Sequence, residues 1–175
     1  MRRGWVIWGL VLPFLVGCGR PLTSREARAR LDPSRPAPSL LDAGGGAAAE
    51  LAAEAARLQE PRRQIVEMAL AYAGMPAGTL DCSSLTSRVY ATSGITLPRT
   101  TREQLVAGEP VGAEALRPGD LVFFSFRRRP TDHVGIFAGR GAFVHVSSSS
   151  GRVRLDVLSQ AEFARTFVGG RRFLD

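Results

Sequence analysis

Apolar positions along this chain change period part-way through. Between residues 61 and 106 they recur at helical spacing. In "PRRQIVEMALAYAG" the stretch opens on Pro61, puts Ile65, Met68, Ala69 and Tyr72 on one face, and meets a stop at Gly74. A second helix is predicted after Asp81, a strong N-cap, with Leu85 and Val89 at helical spacing and Gly94 as its end. In "LPRTTREQLVAG", Thr100 and Glu103 form a capping-box pattern that predicts a short third helix. From residue 120 the pattern becomes short runs of β-branched and aromatic residues: "DLVFFSF", "HVGIFA", "AFVHVS", "RVRLDVL" and "TFVGGRRFL". Gly, Pro, Ser and charged residues separate these runs, as they separate strands. Helices first and strands afterwards predict an α+β domain with a mostly antiparallel sheet.

The segment before this domain reads differently. "MRRGWVIWGLVLPFLVGC" has two arginines, then an apolar run from Trp5 to Val16 that is too short for a stable bilayer span. A basic start, a short apolar stretch and small residues at its end describe a secretory signal peptide over residues 1–17. The ending "LVGC" resembles a bacterial lipobox, which implies cleavage before Cys18 and lipid on its thiol. Gly19 in place of Asp implies sorting to the outer membrane in a two-membrane bacterium, so the expected location is the periplasmic face of that membrane. Residues 18–60 are rich in Arg, Pro, Ala and Gly and read as the lipidated N-terminus and a flexible tether. "AAAELAAEAARLQE" adds a helical patch with a mostly alanine face. As coil, such a tether reaches roughly 35 Å. The compact domain is expected over residues 61–175.

Charge adds little. The formal net charge is +7 with no lysine in the chain, and +5 remains once Arg2 and Arg3 are removed. An arginine excess suits an anionic wall polymer or a lipid surface, and equally a solvated surface biased by composition. No RNA-binding signature, zinc-finger cysteine pair or stacked-aromatic pattern is present, so nucleic acid is not an expected partner.

The cysteines carry more. If Cys18 bears lipid, Cys82 has no disulfide partner, and an unpaired cysteine in an exported protein is either an inert core residue or a reactive thiol. Cys82 falls at the first turn of the second helix, where aligned peptide dipoles favour negative charge. The chain has two histidines, His133 and His145, each in or beside a predicted strand. One thiol and two imidazoles suffice for a nucleophile, a base and a group that orients the base. Each residue also has a plainer reading: Cys82 as core packing, His133 as a strand-end surface residue, and His145 turned to solvent opposite Val144 and Val146. The three could also form a zinc site, though no two of them have close ligand spacing.

Five stretches together resemble one family. "DCSSLTSRVY", "GITLPRTTREQ", "LRPGDLVFF", "HVGIFAGRGAFVHVSSSSG" and "FVGGRRFL" follow, in order, the motifs of the NlpC-type cell-wall cysteine peptidases, including their lipoprotein members. The resemblance runs from about Arg63 to Leu174 and implies a minimal papain-like fold. It implies Cys82 as nucleophile, His133 as general base and His145 as the third, orienting member. An imidazolium at His133 is then expected to help hold the Cys82 thiolate. Asp81, Ser83 and Ser84 become substrate or oxyanion candidates, with Asp81 chiefly a helix cap. The implied partner is peptidoglycan, the implied reaction hydrolysis of an amide bond in the peptide stem or cross-link, and a monomer is expected. No cofactor or metal is called for. The alternatives are a peptidoglycan-docking module with weak catalysis and a papain-like acyltransferase. Two departures stand out. "GMPAGTLDCSS" is shortened and has Ala77 where the family has a tyrosine, and Ser84 replaces the glycine of D-C-S-G.

Overall fold

The computed structural model describes residues 45–127 and 129–174. The expected signal segment, Cys18 and the tether up to residue 44 lie outside the described residues. In chain order the elements are α1 (Gly46–Ala55), α2 (Arg62–Tyr72), α3 (Cys82–Ala91), α4 (Thr101–Val106), β1 (Glu109–Val111), a 3-10 turn (Ala113–Ala115), β2 (Leu121–Phe124), β3 (His133–Gly139), β4 (Ala142–Ser147), β5 (Arg152–Val157), α5 (Ala161–Thr166) and β6 (Phe167–Arg172). The strands form one sheet in the order β1-β6-β2-β3-β4-β5, with every neighbouring pair antiparallel. The architecture is the α+β class expected from the change of period.

The sheet is covered on both faces. Ile65 and Val66 of α2 and Leu85 and Val89 of α3 pack with Val134, Ile136, Val144, Val153 and Leu155. The alternate strand positions Val122, Phe124, Phe137 and Phe143 form a second cluster closed by Phe163 of α5. Burial on both sides is why β2 is the unbroken apolar run "LVFF", buried at all four positions.

Two sequence expectations need correcting. The tether does not extend to residue 60. Leu51 and Ala55 of α1 are 2% and 1% exposed and belong to the main core, and Arg140 pairs with Glu50 across 2.5 Å. An alanine-rich face buries little area per residue, but it lets α1 close tightly on α2 and β3, and one leucine anchors it. The compact unit therefore begins near Gly46. The other concerns the plainer reading of His145 as turned to solvent: the face opposite Val144 and Val146 is covered by α5, an element whose six residues carry too short a pattern to declare a helix.

The turn before β2 ties the ends of the domain together. Asp120 is fully buried and accepts from Arg172 at 2.7 Å and 3.0 Å, from Arg62 at 3.4 Å and from the Arg117 backbone N–H. Tyr90 of α3 donates its hydroxyl to the carbonyl of Gly119 in the same turn. A buried carboxylate needs such partners, and here they lock α2, α3 and β6 to the start of β2.

Candidate active site

Helix α3 begins where the sequence predicts, and its cap is complete. The Asp81 carboxylate accepts the Ser84 backbone N–H at 2.7 Å, while the Ser84 hydroxyl accepts the Asp81 N–H at 2.8 Å. Ser83 donates its hydroxyl to Asp81 at 3.1 Å. Arg99, an unforeseen partner, donates to the other Asp81 oxygen at 2.7 Å and to the Ser83 hydroxyl at 3.1 Å. The Arg99 hydrogen bond, joined by those from Ser84 and Ser83, holds the Asp81 carboxyl down at about 2 against a partial burial cost. The hydroxyls of Ser83 and Ser84 are thus spent in the cap. Asp81 and Cys82 line the cleft beside this cap.

Helix α4 braces α3 from behind. Thr100 and Glu103 form the predicted capping box. Gln104 is fully buried; its amide donates to the carbonyls of Ser83 and Pro98 at 3.2 Å and 2.8 Å, and its oxygen accepts from Thr86 at 2.9 Å. Every polar atom of that side chain is engaged, so the first turn of α3 is fixed against α4. Cys82 is half-buried and unpaired, with its Sγ 3.5 Å from the Thr101 hydroxyl.

A cleft of about 990 Å³ contains Cys82, His133 and His145 in its lining. His133 opens β3, and His145 lies on β4. The Nε2 of His133 is 2.8 Å from the Nδ1 of His145. The imidazoles bond to each other instead of pointing at a common centre, so the zinc arrangement is not formed. Among the described residues no three His, Cys, Asp or Glu side chains converge as a metal site. His145 is 4% exposed and packs on Phe143 and Phe163, with ring centroids 5.0 Å and 5.4 Å away. Strand alternation does turn it away from Val144 and Val146, but toward the second aromatic cluster and not toward solvent.

Gly135 makes this approach of β3 and β4 feasible. A Cβ there would stand 2.8 Å from a Phe143 ring carbon, 2.9 Å from the Val144 carbonyl and 3.2 Å from the Cβ of His145. Any side chain would push His145 from its place.

Two residues that the sequence pattern does not single out, Asp156 and Arg154, extend the histidine pair. Asp156 on β5 accepts from His145 Nε2 at 2.9 Å, and Arg154 donates to both oxygens of the same carboxylate at 2.9 Å each. The signal was in "RVRLDV": Arg154 and Asp156 alternate with Val153 and Leu155, so they share one strand face. Only the register, which pairs His145 with Arg154, reveals what they meet there. Burial raises the Asp156 pKa, but the hydrogen bonds from His145 and Arg154 outweigh it and bring the carboxyl to about 2. At His133 burial dominates. It pushes the His133 pKa down to about 3, and protonation of His145 would add repulsion in the same direction, so the resting His133 ring is neutral, against the imidazolium expected from the sequence.

Residues 68–172 match the model of the NlpC/P60 family. The chain belongs to that family. A probable endopeptidase, the NlpC homolog of Haemophilus influenzae, is 36% identical over 96 residues, covering 54% of this chain and 50% of that protein. The chain spans half or less of the curated relatives it matches. The crystal structure of an NlpC/P60 family protein from Bacillus cereus superposes with a TM-score of 0.62 at 26% identity, covering 67% of this chain and 42% of that one. A further neighbour is RipD from Mycobacterium tuberculosis, described as a non-catalytic NlpC/p60 domain protein adapted to peptidoglycan binding. It matches in fold, with a TM-score of 0.55 at 22% identity, over 67% of this chain and 100% of its own.

Seen within the family, the departure at Ser84 has a structural use: its hydroxyl closes the α3 capping box, which a glycine cannot do. Ala77 lines the cleft, and its N–H donates to the Gly151 carbonyl at 2.9 Å. The methyl offers no hydroxyl at the position where the family pattern has tyrosine.

Proposed function

We propose that this protein is a cysteine peptidase that hydrolyses an amide bond in the peptide stem or cross-link of peptidoglycan. Cys82 is the nucleophile, His133 the base and then the acid, and His145 the group that orients His133. The observation that carries this reading is the 2.8 Å bond between His133 Nε2 and His145 Nδ1 in a cleft that Cys82 also lines. It occupies one nitrogen of His133 and leaves Nδ1 to exchange a proton with the thiol. Family membership and an endopeptidase among the relatives support the same chemistry.

The neutral resting ring makes His133 a general base. It takes the Cys82 proton as the sulfur attacks the scissile carbonyl. The backbone amides of Cys82 and Ser83 at the start of α3, ahead of the Ser84 N–H that the Asp81 cap takes up, stabilise the oxyanion. His133, now an imidazolium, protonates the leaving amine. The neutral ring then deprotonates the water that releases the acyl-enzyme. In the cell the domain acts from a lipid anchor at Cys18, on the periplasmic face of the outer membrane.

A second reading is docking without cleavage, favoured by Ala77 in the cleft and by a non-catalytic protein sharing the fold. One experiment separates the readings. The purified protein is incubated with purified peptidoglycan, and soluble products are identified by mass spectrometry, with Cys82→Ala as control. Peptidase action releases cut muropeptides whose masses name the bond. Binding to the wall with no release, identical in the control, favours docking. Products carrying an added amine identify acyl transfer.

A further inference from the structure

We propose that Asp156, clamped by Arg154, is a positioning residue that sets the tautomers of both histidines and so leaves the unprotonated nitrogen of His133 available to Cys82. This inference rests on the peptidase reading above for its kinetic consequence, but its structural content stands apart from it.

The tautomers follow from where protons can sit along one line of groups. Asp156 is 1% exposed, and its carboxylate is surrounded by donors. One oxygen accepts from Arg154 Nε and lies 2.9 Å from His145 Nε2; the other accepts from Arg154 at 2.9 Å and from the Gln160 amide at 3.4 Å. A bidentate guanidinium holds the carboxylate in plane and favours its ionised form. An ionised carboxylate only accepts, so His145 must carry its proton on Nε2. In the neutral ring, Nδ1 of His145 is then an acceptor. The 2.8 Å contact to His133 forces His133 to donate from Nε2. The proton of His133 is thereby fixed on Nε2, and Nδ1 is left bare.

The reverse assignment would disable the site. With Nδ1–H on His145, Nε2 of His133 must accept, and its own proton moves to Nδ1. That nitrogen can no longer take a proton from Cys82 Sγ. Two rings in series transmit the choice, so Asp156, which bonds to His145 and not to His133, decides whether Nδ1 of His133 is bare or protonated. During reaction the proton leaves Sγ for Nδ1, and the charge on His133 is stabilised through His145 by the Asp156 carboxylate. No proton need pass beyond His133.

The test uses the chain's two histidines, which give four imidazole nitrogens and an uncrowded spectrum. Protein labelled with 15N-histidine is examined by NMR near pH 8, and kcat and KM are measured on soluble muropeptides. Wild type is expected to show both rings as Nε2–H tautomers. In Asp156→Asn an Nδ1–H tautomer is expected on at least one ring, with kcat lowered on the order of 100-fold and KM within about twofold. An Nδ1–H tautomer on either ring of wild type overturns the proposal, as does a folded Asp156→Asn that retains both Nε2–H tautomers. If Asp156→Asn does not fold, the wild-type spectrum decides alone. Correct tautomers in a protein that cuts no peptidoglycan support the positioning role and sink the peptidase reading. Cleavage by a wild type with the wrong tautomers does the opposite.

Discussion

His133 and His145 meet edge to face: their ring planes are 90° apart, their centroids 5.0 Å, and their bonded nitrogens 2.8 Å. A perpendicular pair shares a single hydrogen bond and keeps the other nitrogen of each ring for a different task. His145 gives its second nitrogen to Asp156. His133 has one left for chemistry.

Cys82→Ala and His133→Ala are therefore each expected to abolish release of muropeptides while leaving the circular dichroism of the domain intact. The double variant should be no worse than either single one, because thiol and base act as a unit. His145→Ala should keep a measurable residue of activity, since that ring moves no proton. Normal turnover in Cys82→Ala would end the cysteine-peptidase reading.

Acid should destabilise the fold over a defined window. The His133 pKa lies near 3 in the folded protein against 6.5 for a free imidazole, so the unfolded chain binds the extra proton first. Stability from the neutral ring is complete above the unfolded value and is lost as pH falls from about 6.5 toward about 3. Asp156 acts in the same sense lower down, from 3.8 toward about 2. The His133 part is of order a few kcal/mol. Urea denaturation at stepped pH should show the loss in wild type and a flatter dependence in His133→Asn. Equal slopes in the two would contradict the assignment.

Gly135→Ala tests the close approach of β3 and β4. The added methyl meets the Val144 backbone and the Phe143 ring inside 3.0 Å. A loss of about 1–3 kcal/mol is expected in denaturation, with activity falling more than stability because His145 is displaced. Wild-type stability together with wild-type turnover would show that the strands can part freely.

Cys18→Ser should release the protein from the membrane fraction or stall its processing, if the segment ending "LVGC" is the lipid signal it resembles. Fractionation and intact mass read both. Unchanged mature mass and unchanged membrane association would refute the anchor.

Gln104 is expected to matter for structure before chemistry. Gln104→Ala removes three buried hydrogen bonds, two to the Ser83 and Pro98 carbonyls and one from the Thr86 hydroxyl, and should cost about 1–3 kcal/mol in chemical denaturation. Turnover in the fraction still folded should fall only modestly. Complete inactivation of a stably folded Gln104→Ala would give this residue a direct part in catalysis.

Local chemistry decided much that is legible without a structure. Asp81 caps α3 and Thr100 caps α4 because short polar side chains satisfy first-turn amides wherever they precede an apolar period, and that is a property of neighbours in sequence. The place of Cys82 at a helix start follows from it, as do the main strand runs. What lay beyond the sequence depends on partners far along the chain. The packing of α1 needs β3 as a surface, and the burial of His145 needs α5. The ties of Asp156 to His145 and Arg154 need the register of β4 against β5, because a strand's own pattern tells which residues share a face but not what stands opposite them. The neutral state of His133 is of the same kind. It arises from desolvation by groups that only the closed fold assembles around the ring.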